Sequence, residues 1–383
     1  TFGEDFTGWD SSYSGEPIPL QQMWAWRDAV VEQVLRHRPE RLLEVGVGSG
    51  LLLSQLVEHC AEFWGTDLSG TVIDRLRGQV AARGLADRVT LRAQAADVVE
   101  GLPEGYFDTI LLNSVVQYFP DGEYLRRVID RLVGLLAPGG RLVVGDVRHA
   151  GTLRAFHAAV RAPRFAGQLD RLRAAVAHSV MVEKELVVAP EFFATLADPR
   201  IGAVDIRLKP GSYHNELTRH RYEVVLHKDP ADVVDVAHVP TLAWDPDLDL
   251  DQVAAPVRIV GIPNARLVEE VACEQALDDD VVVPATGIDP HDCIEWGQKR
   301  GVQAIPTWSA ASVAHFDLLI LPAGTGPVLS GGYVPAAGVV RLVNDPKAAR
   351  GLGALLAEVR AGLADRLPEY LVPSVVVAIG AVP

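Results

Sequence analysis

Cysteine is scarce: Cys60, Cys273 and Cys293 are the only 3 among 383 residues. They lie far apart with no C-x-x-C spacing, which excludes a disulfide framework and a thiolate zinc site and fits a reducing cytoplasm. The 11 histidines are scattered as well, so no metal site is expected. Hydrophobic residues make up 49% of the chain, yet no apolar run approaches the roughly 20 residues of a membrane-spanning helix. No signal peptide, internal repeat or low-complexity tract stands out. Basic charge is the other shortage, with 35 Lys and Arg against 50 Asp and Glu, a net charge of −15. Phosphate backbones are held by concentrated Lys and Arg, so the balance argues against nucleic acid as a partner. The length suffices for two domains, each with its own core.

Glycine is present where it matters. In Arg41-Leu-Leu-Glu-Val-Gly-Val-Gly-Ser-Gly50, a short apolar strand runs into three alternating glycines. Leu51, Leu52, Leu53, Leu56 and Val57 then follow helical spacing. This is the pattern of a nucleotide-binding turn, and by itself it would also suit NAD. Glu44 decides between ligands. A carboxylate leading into the loop is awkward beside a pyrophosphate at a helix N-terminus, but favourable for a ligand carrying a sulfonium and an amino group. S-adenosylmethionine is such a ligand.

Further acids follow at strand ends. Glu62–Asp67 reads as a second strand whose Asp67 accepts the ribose hydroxyls, with Leu68 beside it. Val89–Ala93 reads as a third, running into Ala96 and Asp97, where a carboxylate takes the adenine amino group. The nearly continuous apolar run Asp108–Asn113 reads as a fourth, buried on both faces, with Asn113 and Ser114 at its end. Each alone reads equally well as a cap or turn residue. Four polar positions at four successive strand ends instead mark the ligand-binding edge of an open α/β sheet. Glu44, Gly46, Gly48, Gly50, Asp67, Leu68, Ala96, Asp97, Asn113 and Ser114 are therefore the candidate cofactor contacts.

Glu44-Val-Gly-Val-Gly-Ser-Gly50, Asp67, Asp97 and Leu111-Leu-Asn-Ser-Val-Val-Gln-Tyr-Phe-Pro120 resemble the class I S-adenosylmethionine-dependent methyltransferases. Three segments narrow the resemblance to the N-methyltransferase domains embedded in nonribosomal peptide synthetases: Phe6–Leu20, Val116–Pro120 and Tyr213–Tyr222. It covers residues 1 to about 228 and returns near the end, where Asn344-Asp-Pro346, the run Ala349–Ala364 and Arg366–Ser374 resemble part of an adenylation domain's small C-terminal subdomain. The segment carrying that subdomain's catalytic lysine would follow beyond Pro383. The resemblance implies a methyltransferase interrupting an adenylation domain, excised from a longer chain that starts before Thr1. It further implies transfer of a methyl group to the α-amine of an aminoacyl thioester on a phosphopantetheinylated peptidyl carrier protein, leaving S-adenosylhomocysteine. Methylation of a side-chain oxygen, sulfur or carbon, or an inactive structural insert, are the alternatives. The Arg161–Arg173 stretch reads as a solvated helix face or a docking surface for an acidic carrier.

The expected fold is α/β: a class I, Rossmann-like, mostly parallel seven-stranded sheet with helices on both faces, plus a smaller C-terminal α/β region. Residues 1–20 suit a lid, in which Tyr13 is read as a cofactor contact and Trp9 as an aromatic staple. Residues 21–228 form the methyltransferase domain and 229–383 the accessory region. A helix is expected over 21–38 and a helical stretch over 153–177. Arg141–Val147 follows as a strand after a turn at Pro138-Gly-Gly140, and Ala203–Leu208 and Arg221–His227 form an antiparallel hairpin. Beyond 229, strands are expected at Val257–Gly261, Asp280–Val283 and Phe316–Pro322, and a helix at Ala265–Leu277. Methyl transfer to an amine is a matter of positioning. His214, in the hairpin loop, is the candidate proton acceptor with Glu216 orienting its ring, the alternative being an exposed loop histidine. Gln117 and Tyr118 are read as acceptor contacts, Tyr118 also as catalytic, and Phe119 as core. Asp146 either faces the acceptor cleft or caps the next element.

Overall fold

Apolar strands alternating with helices from Arg41 onward assemble into one sheet. Its strands are β1 (Arg41–Val45), β2 (Glu62–Asp67), β3 (Val89–Ala93), β4 (Phe107–Asn113), β5 (Leu136–Arg148), β6 (Ile201–Leu208) and β7 (Arg221–Lys228). The computed structural model describes residues 2–278, 286–335 and 341–373. The seven strands run in the order β3-β2-β1-β4-β5-β7-β6. β1 to β5 are parallel to their neighbours, while β7 pairs antiparallel with both β5 and β6. The order reverses between β1 and β4, which opens a crevice at the carboxyl ends of the central strands.

Both faces are covered because alternate residues of each strand point opposite ways. Leu43, Ile110 and Leu112 pack with Leu125, Val128, Ile129 and Leu132 of helix α4 (Gly122–Leu135). Leu42, Phe63 and Leu111 pack with Val30 and Val34 of α1 (Leu20–Leu35), Leu53 of α2 (Leu53–Leu56), and Ile73, Leu76 and Val80 of α3 (Gly70–Ala81). Ser69 and Asp121 cap α3 and α4 by accepting the Val72 and Tyr124 N–H groups.

Two expected elements take a different form. The stretch over 153–177 is two helices, α5 (Leu153–Arg161) and α6 (Leu169–Met181), separated at Pro163 and Gly167, which cannot continue the first regularly. Pro138-Gly-Gly140 lies within the span of β5, where pairing jumps from Phe107–Leu136 to Thr109–Arg141. The expected turn is thus an irregular excursion inside the strand, with Gly139 at φ +75°, rather than a break before it.

Beyond Asp229, Gln303–Trp308, His315–Leu321, Val257–Pro263 and Thr241–Ala243 form a four-stranded sheet in that order. Helices Val268–Gln275, Pro290–Arg300 and Pro346–Ala364 accompany it. The expected strand Asp280–Val283 lies outside the described residues. Ile259, Trp308, Phe316 and Leu318 join the same buried cluster as Ile206, Tyr222 and Val224 of β6 and β7. Thr307 Oγ1 donates to Ile206 O at 2.8 Å, and the Arg266 guanidinium donates to Lys209 O and Gly211 O, each at 2.7 Å. The core is thus continuous across Asp229. No helix among the described residues is long and apolar enough to cross a membrane.

The N-terminal segment is a strap tied at both ends. Arg27 holds Glu4 at 2.8 Å, Arg75 holds Asp5 at 3.1 Å, and Ser12 N–H donates to Glu216 Oε1 at 2.7 Å.

Gly50 has φ +81°, and an added Cβ would sit 2.8 Å from Leu76 Cδ2. Its glycine serves α3 packing. Gly50→Ala is expected to destabilise the fold by about 1–3 kcal/mol, read as a lower urea midpoint with an unchanged m-value.

Candidate active site

A cavity of about 800 Å³ opens over the carboxyl ends of β1, β2, β3 and β4, in the size range of small-molecule sites. Glu44, Gly46, Gly48, Asp67, Leu68, Ala96, Asp97, Asn113, Ser114 and Tyr118 line it, so nearly all the expected cofactor residues converge there. Three of the lining side chains are carboxylates, and none is Lys, Arg or His.

The glycine turn is not a phosphate cradle. Gly46 and Val47 N–H both donate to Thr66 O, at 2.7 and 2.9 Å, Gly48 N–H donates to Asp67 Oδ2 at 3.0 Å, and Gly50 N–H to Val47 O at 3.0 Å. These donors are committed internally, and α2 is a single turn, so the nest and the dipole that hold pyrophosphate are both lacking. Gly46 is required sterically: at φ +83° its Cβ would fall 2.3 Å from Val115 Cγ2.

Asp67 performs two tasks. Its Oδ1 accepts Ser69 N–H at 2.8 Å and its Oδ2 accepts Gly48 N–H, so both oxygens fix the carboxylate at the cavity wall. Asp97 accepts the Tyr124 hydroxyl at 2.8 Å. Burial and then this bond push that hydroxyl up to about 12. Glu44 is 4% exposed with Oε2 unpartnered. Burial, then the charge of Asp67, raises its carboxyl well above the usual range. Asn113 Oδ1 is likewise buried and unpartnered. Three acids, one of them with an orphaned buried oxygen, fit a ligand with an ammonium and a sulfonium.

Behind the cavity lies a buried ion cluster. Asp146 is fully buried, 2.9 Å from Lys209 and 2.5 Å from Arg221, and Lys209 also meets Glu223 at 2.5 Å. Burial alone would raise the Asp146 carboxyl, but Arg221 and Lys209 outweigh it and hold it well below the usual range. Ser114 Oγ donates to Asp146 Oδ2 at 2.6 Å. Ser114 and Asp146 have φ of +56° and +65°, a left-handed conformation costly for both, Ser114 just past β4 and Asp146 inside β5 where its register with β7 breaks between Val144 and Val147.

Several expected site residues lie outside the cavity lining. Gly50 faces α3. Asp146 is committed to its ion pairs and neither faces a cleft nor caps an element. The Tyr13 hydroxyl donates to Glu270 Oε1 at 2.7 Å and sits 3.0 Å from His220 Nε2, so it ties the strap to the second region. His214 is exposed, its Nε2 2.5 Å from Asp289 Oδ2. Asp289, not Glu216, orients it. Glu216 instead anchors Ser12 and keeps Oε2 buried and free. Gln117 is buried with Oε1 unpartnered, and Phe119, read as core, also lines the cavity. Trp9, Trp26, Ser49, Gln94 and Tyr124 also line the cavity without having been expected as cofactor contacts. Tyr124, three residues after the Asp121 cap, was the one with a local signal. Trp26 had none, being on a helix far ahead of the glycine turn.

A methyltransferase-domain family model matches residues 43–142, the span from β1 into β5. Those residues carry a methyltransferase domain. The whole length of the chain is 46% identical to part of a probable non-canonical nonribosomal peptide synthetase, CymA of Salinispora arenicola, and spans 5% of that protein. Over 99% of the chain it is 34% identical to chondramide synthase cmdD of Chondromyces crocatus, spanning 10% of it. The solved N-methyltransferase NodS of Bradyrhizobium japonicum is similar at 20% identity and a TM-score of 0.37, over 54% of this chain and 97% of that one. At that distance the likeness carries no inference about chemistry.

Because the Glu44 carboxyl is raised, the folded domain holds a proton that the unfolded chain releases, so Glu44 makes stability fall as pH rises above its ordinary value of about 4.3. Glu44→Gln is expected to raise the melting temperature near neutral pH while weakening S-adenosylhomocysteine binding about tenfold or more. In the wild type, affinity for this ammonium-bearing ligand should climb with pH, with buffer-dependent proton release in calorimetry. A flat pH profile contradicts the assignment. Lys209→Met strands the buried Glu223 carboxylate and leaves Asp146 to Arg221 alone, and should cost about 3–5 kcal/mol in urea unfolding.

Proposed function

We propose that this domain transfers the methyl group of S-adenosylmethionine to the backbone α-amine of an aminoacyl group, held as a thioester on the phosphopantetheine arm of a peptidyl carrier protein during nonribosomal peptide synthesis. The observation that carries the acceptor class is the alignment with CymA, which continues unbroken from the methyltransferase sheet through the second region. The parent chain would also hold the remainder of an adenylation domain. In support, Asn344 of the segment resembling that domain bridges Glu185 O and Val187 N–H, at 2.8 and 2.9 Å, against the methyltransferase region.

The cofactor supplies an electrophilic methyl carbon on a sulfonium. Glu44 would hold its ammonium, Asp67 its ribose hydroxyls and Asp97 the adenine amino group. The acceptor needs a free lone pair in line with the departing sulfur. Tyr118, 66% exposed at the cavity, offers a hydroxyl to position it. Gln117 Oε1 and Glu216 Oε2 are further free acceptors outside the cavity lining. An aminoacyl thioester amine is less basic than an ordinary amine, so a fraction reaches the site already neutral. His214 lies outside the cavity lining, so positioning rather than this histidine is the proposed source of the rate.

The deciding experiment incubates the protein with labelled S-adenosylmethionine and carrier proteins loaded with different amino acids, and locates the label by mass spectrometry. Methyl on the α-nitrogen is expected. Methyl on a side chain would select the alternative acceptor, and absence of cofactor binding would leave a structural insert. Asp67→Ala should weaken S-adenosylhomocysteine binding by about tenfold or more. His214→Ala should retain the rate and Tyr118→Phe should lower it, and the reverse order would return the base to His214.

A further inference from the structure

The methionine end of the cofactor carries an α-carboxylate as well as an ammonium, and a carboxylate leaving water requires donors. The cavity lining supplies no cation for it. Most neutral donors in the lining are already committed. The Ser49 hydroxyl donates to Asp5 O at 3.1 Å, the Gln94 amide to Val98 O at 2.6 Å, and the Asn113 amide to Ser114 Oγ at 3.3 Å. Ser114 and Tyr124 donate to Asp146 and Asp97.

Trp26 differs. It is 2% exposed, it lines the cavity, and its indole Nε1–H is buried without a partner. It is the one buried, unpaired side-chain donor among the lining residues, and such a donor is a standing penalty that a ligand acceptor removes. Its location fits the methionine end. Trp26 stands on α1, packed against Trp9 with ring centroids 4.7 Å apart and planes tilted by 48°, and clusters with Leu51, the residue directly after the glycine turn. It therefore belongs to the β1 side of the cavity, with Glu44 and Asn113, and not to the β3 side of Gln94 and Asp97.

We propose that the Trp26 indole N–H donates to the α-carboxylate of the bound cofactor while Glu44 takes the ammonium, so that one neutral donor and one acid together read the zwitterion. The proposal rests on the assignment of the cofactor to this cavity.

Calorimetry with S-adenosylhomocysteine and its decarboxylated analogue separates the two ideas. Trp26→Phe is expected to weaken the carboxylate-bearing ligand about tenfold or more and to leave the decarboxylated analogue unchanged. Equal losses for both ligands make Trp26 a packing residue and overturn the proposal, as does no loss for either. A wild type that binds neither ligand brings down the cavity assignment and this proposal with it, whereas unaltered binding in the variant removes Trp26 alone. Should Trp26→Phe fail to fold, wild-type protein labelled at the indole nitrogen serves. One of the 7 tryptophan N–H signals should move downfield with S-adenosylhomocysteine and not with the decarboxylated analogue. No signal behaving so also overturns the proposal.

Discussion

Glu44, Asp67 and Asp97 face one cavity with no cation in its lining, and that unbalanced field is what the rest of the site answers to. Like charges in a half-enclosed crevice repel far more than they would in bulk water. The fold contains the repulsion by different means at each position. Asp67 is stabilised by two backbone N–H groups, Asp97 by a tyrosine hydroxyl, and Glu44 by favouring its proton. A ligand that brings positive charge relieves all three, whereas one that brings phosphate aggravates them. The glycine turn agrees, since its amide hydrogens are turned inward to Thr66 and Asp67 rather than to a ligand.

The ion cluster behind β4 and β5 has the opposite character. Asp146 and Glu223 are matched by Lys209 and Arg221, so their charges cancel locally. Such clusters add little net stability over apolar packing, but they penalise any rearrangement. That penalty suits two residues in a strained conformation. Ser114 and Asp146, hydrogen-bonded to each other, keep a positive φ because releasing either would strand a buried charge. The strained pair sits where β4–β5 pairing stops at Asn113 and Gly145, beside Asn113 and the turn that leads to Tyr118.

Regular elements were legible wherever periodicity and punctuation agreed. β2 and β3 match their sequence limits because each is a short apolar strand between clear turn signals. The acids at their ends were legible because position on a parallel sheet implies a direction toward the crevice. What failed was anything dependent on rotation or distance. Nothing in the sequence distinguishes Gly50, which meets Leu76, from Gly48, which lines the cavity. His214 looked like a base because its loop closes a hairpin over the sheet edge. Its partner Asp289 lies 75 residues away in sequence, beyond any local signal. The strand Gln303–Trp308 was hidden by Pro306 and by its lack of an apolar alternation, and its Thr307 is tied to β6 far away in sequence.

The strap shows how the second region bears on the cavity without lining it. One end is tied to the cofactor side, through Glu4 on Arg27 and Asp5 on Arg75. The other is tied to the far side, through Ser12 on Glu216 and Tyr13 on Glu270, a residue of the second region. Trp9 lies between these anchors and packs against Trp26 in the cavity wall. Displacing the helix that carries Glu270 would loosen Tyr13 and so the span that holds Trp9. Glu270 is tied in turn to Arg219 and His220, which lead directly into β7 and the Arg221–Asp146 pair. The region beyond Asp229 thus contributes to the site by holding the strap and the edge of the sheet in a fixed relation, which is the relation that in-line transfer demands.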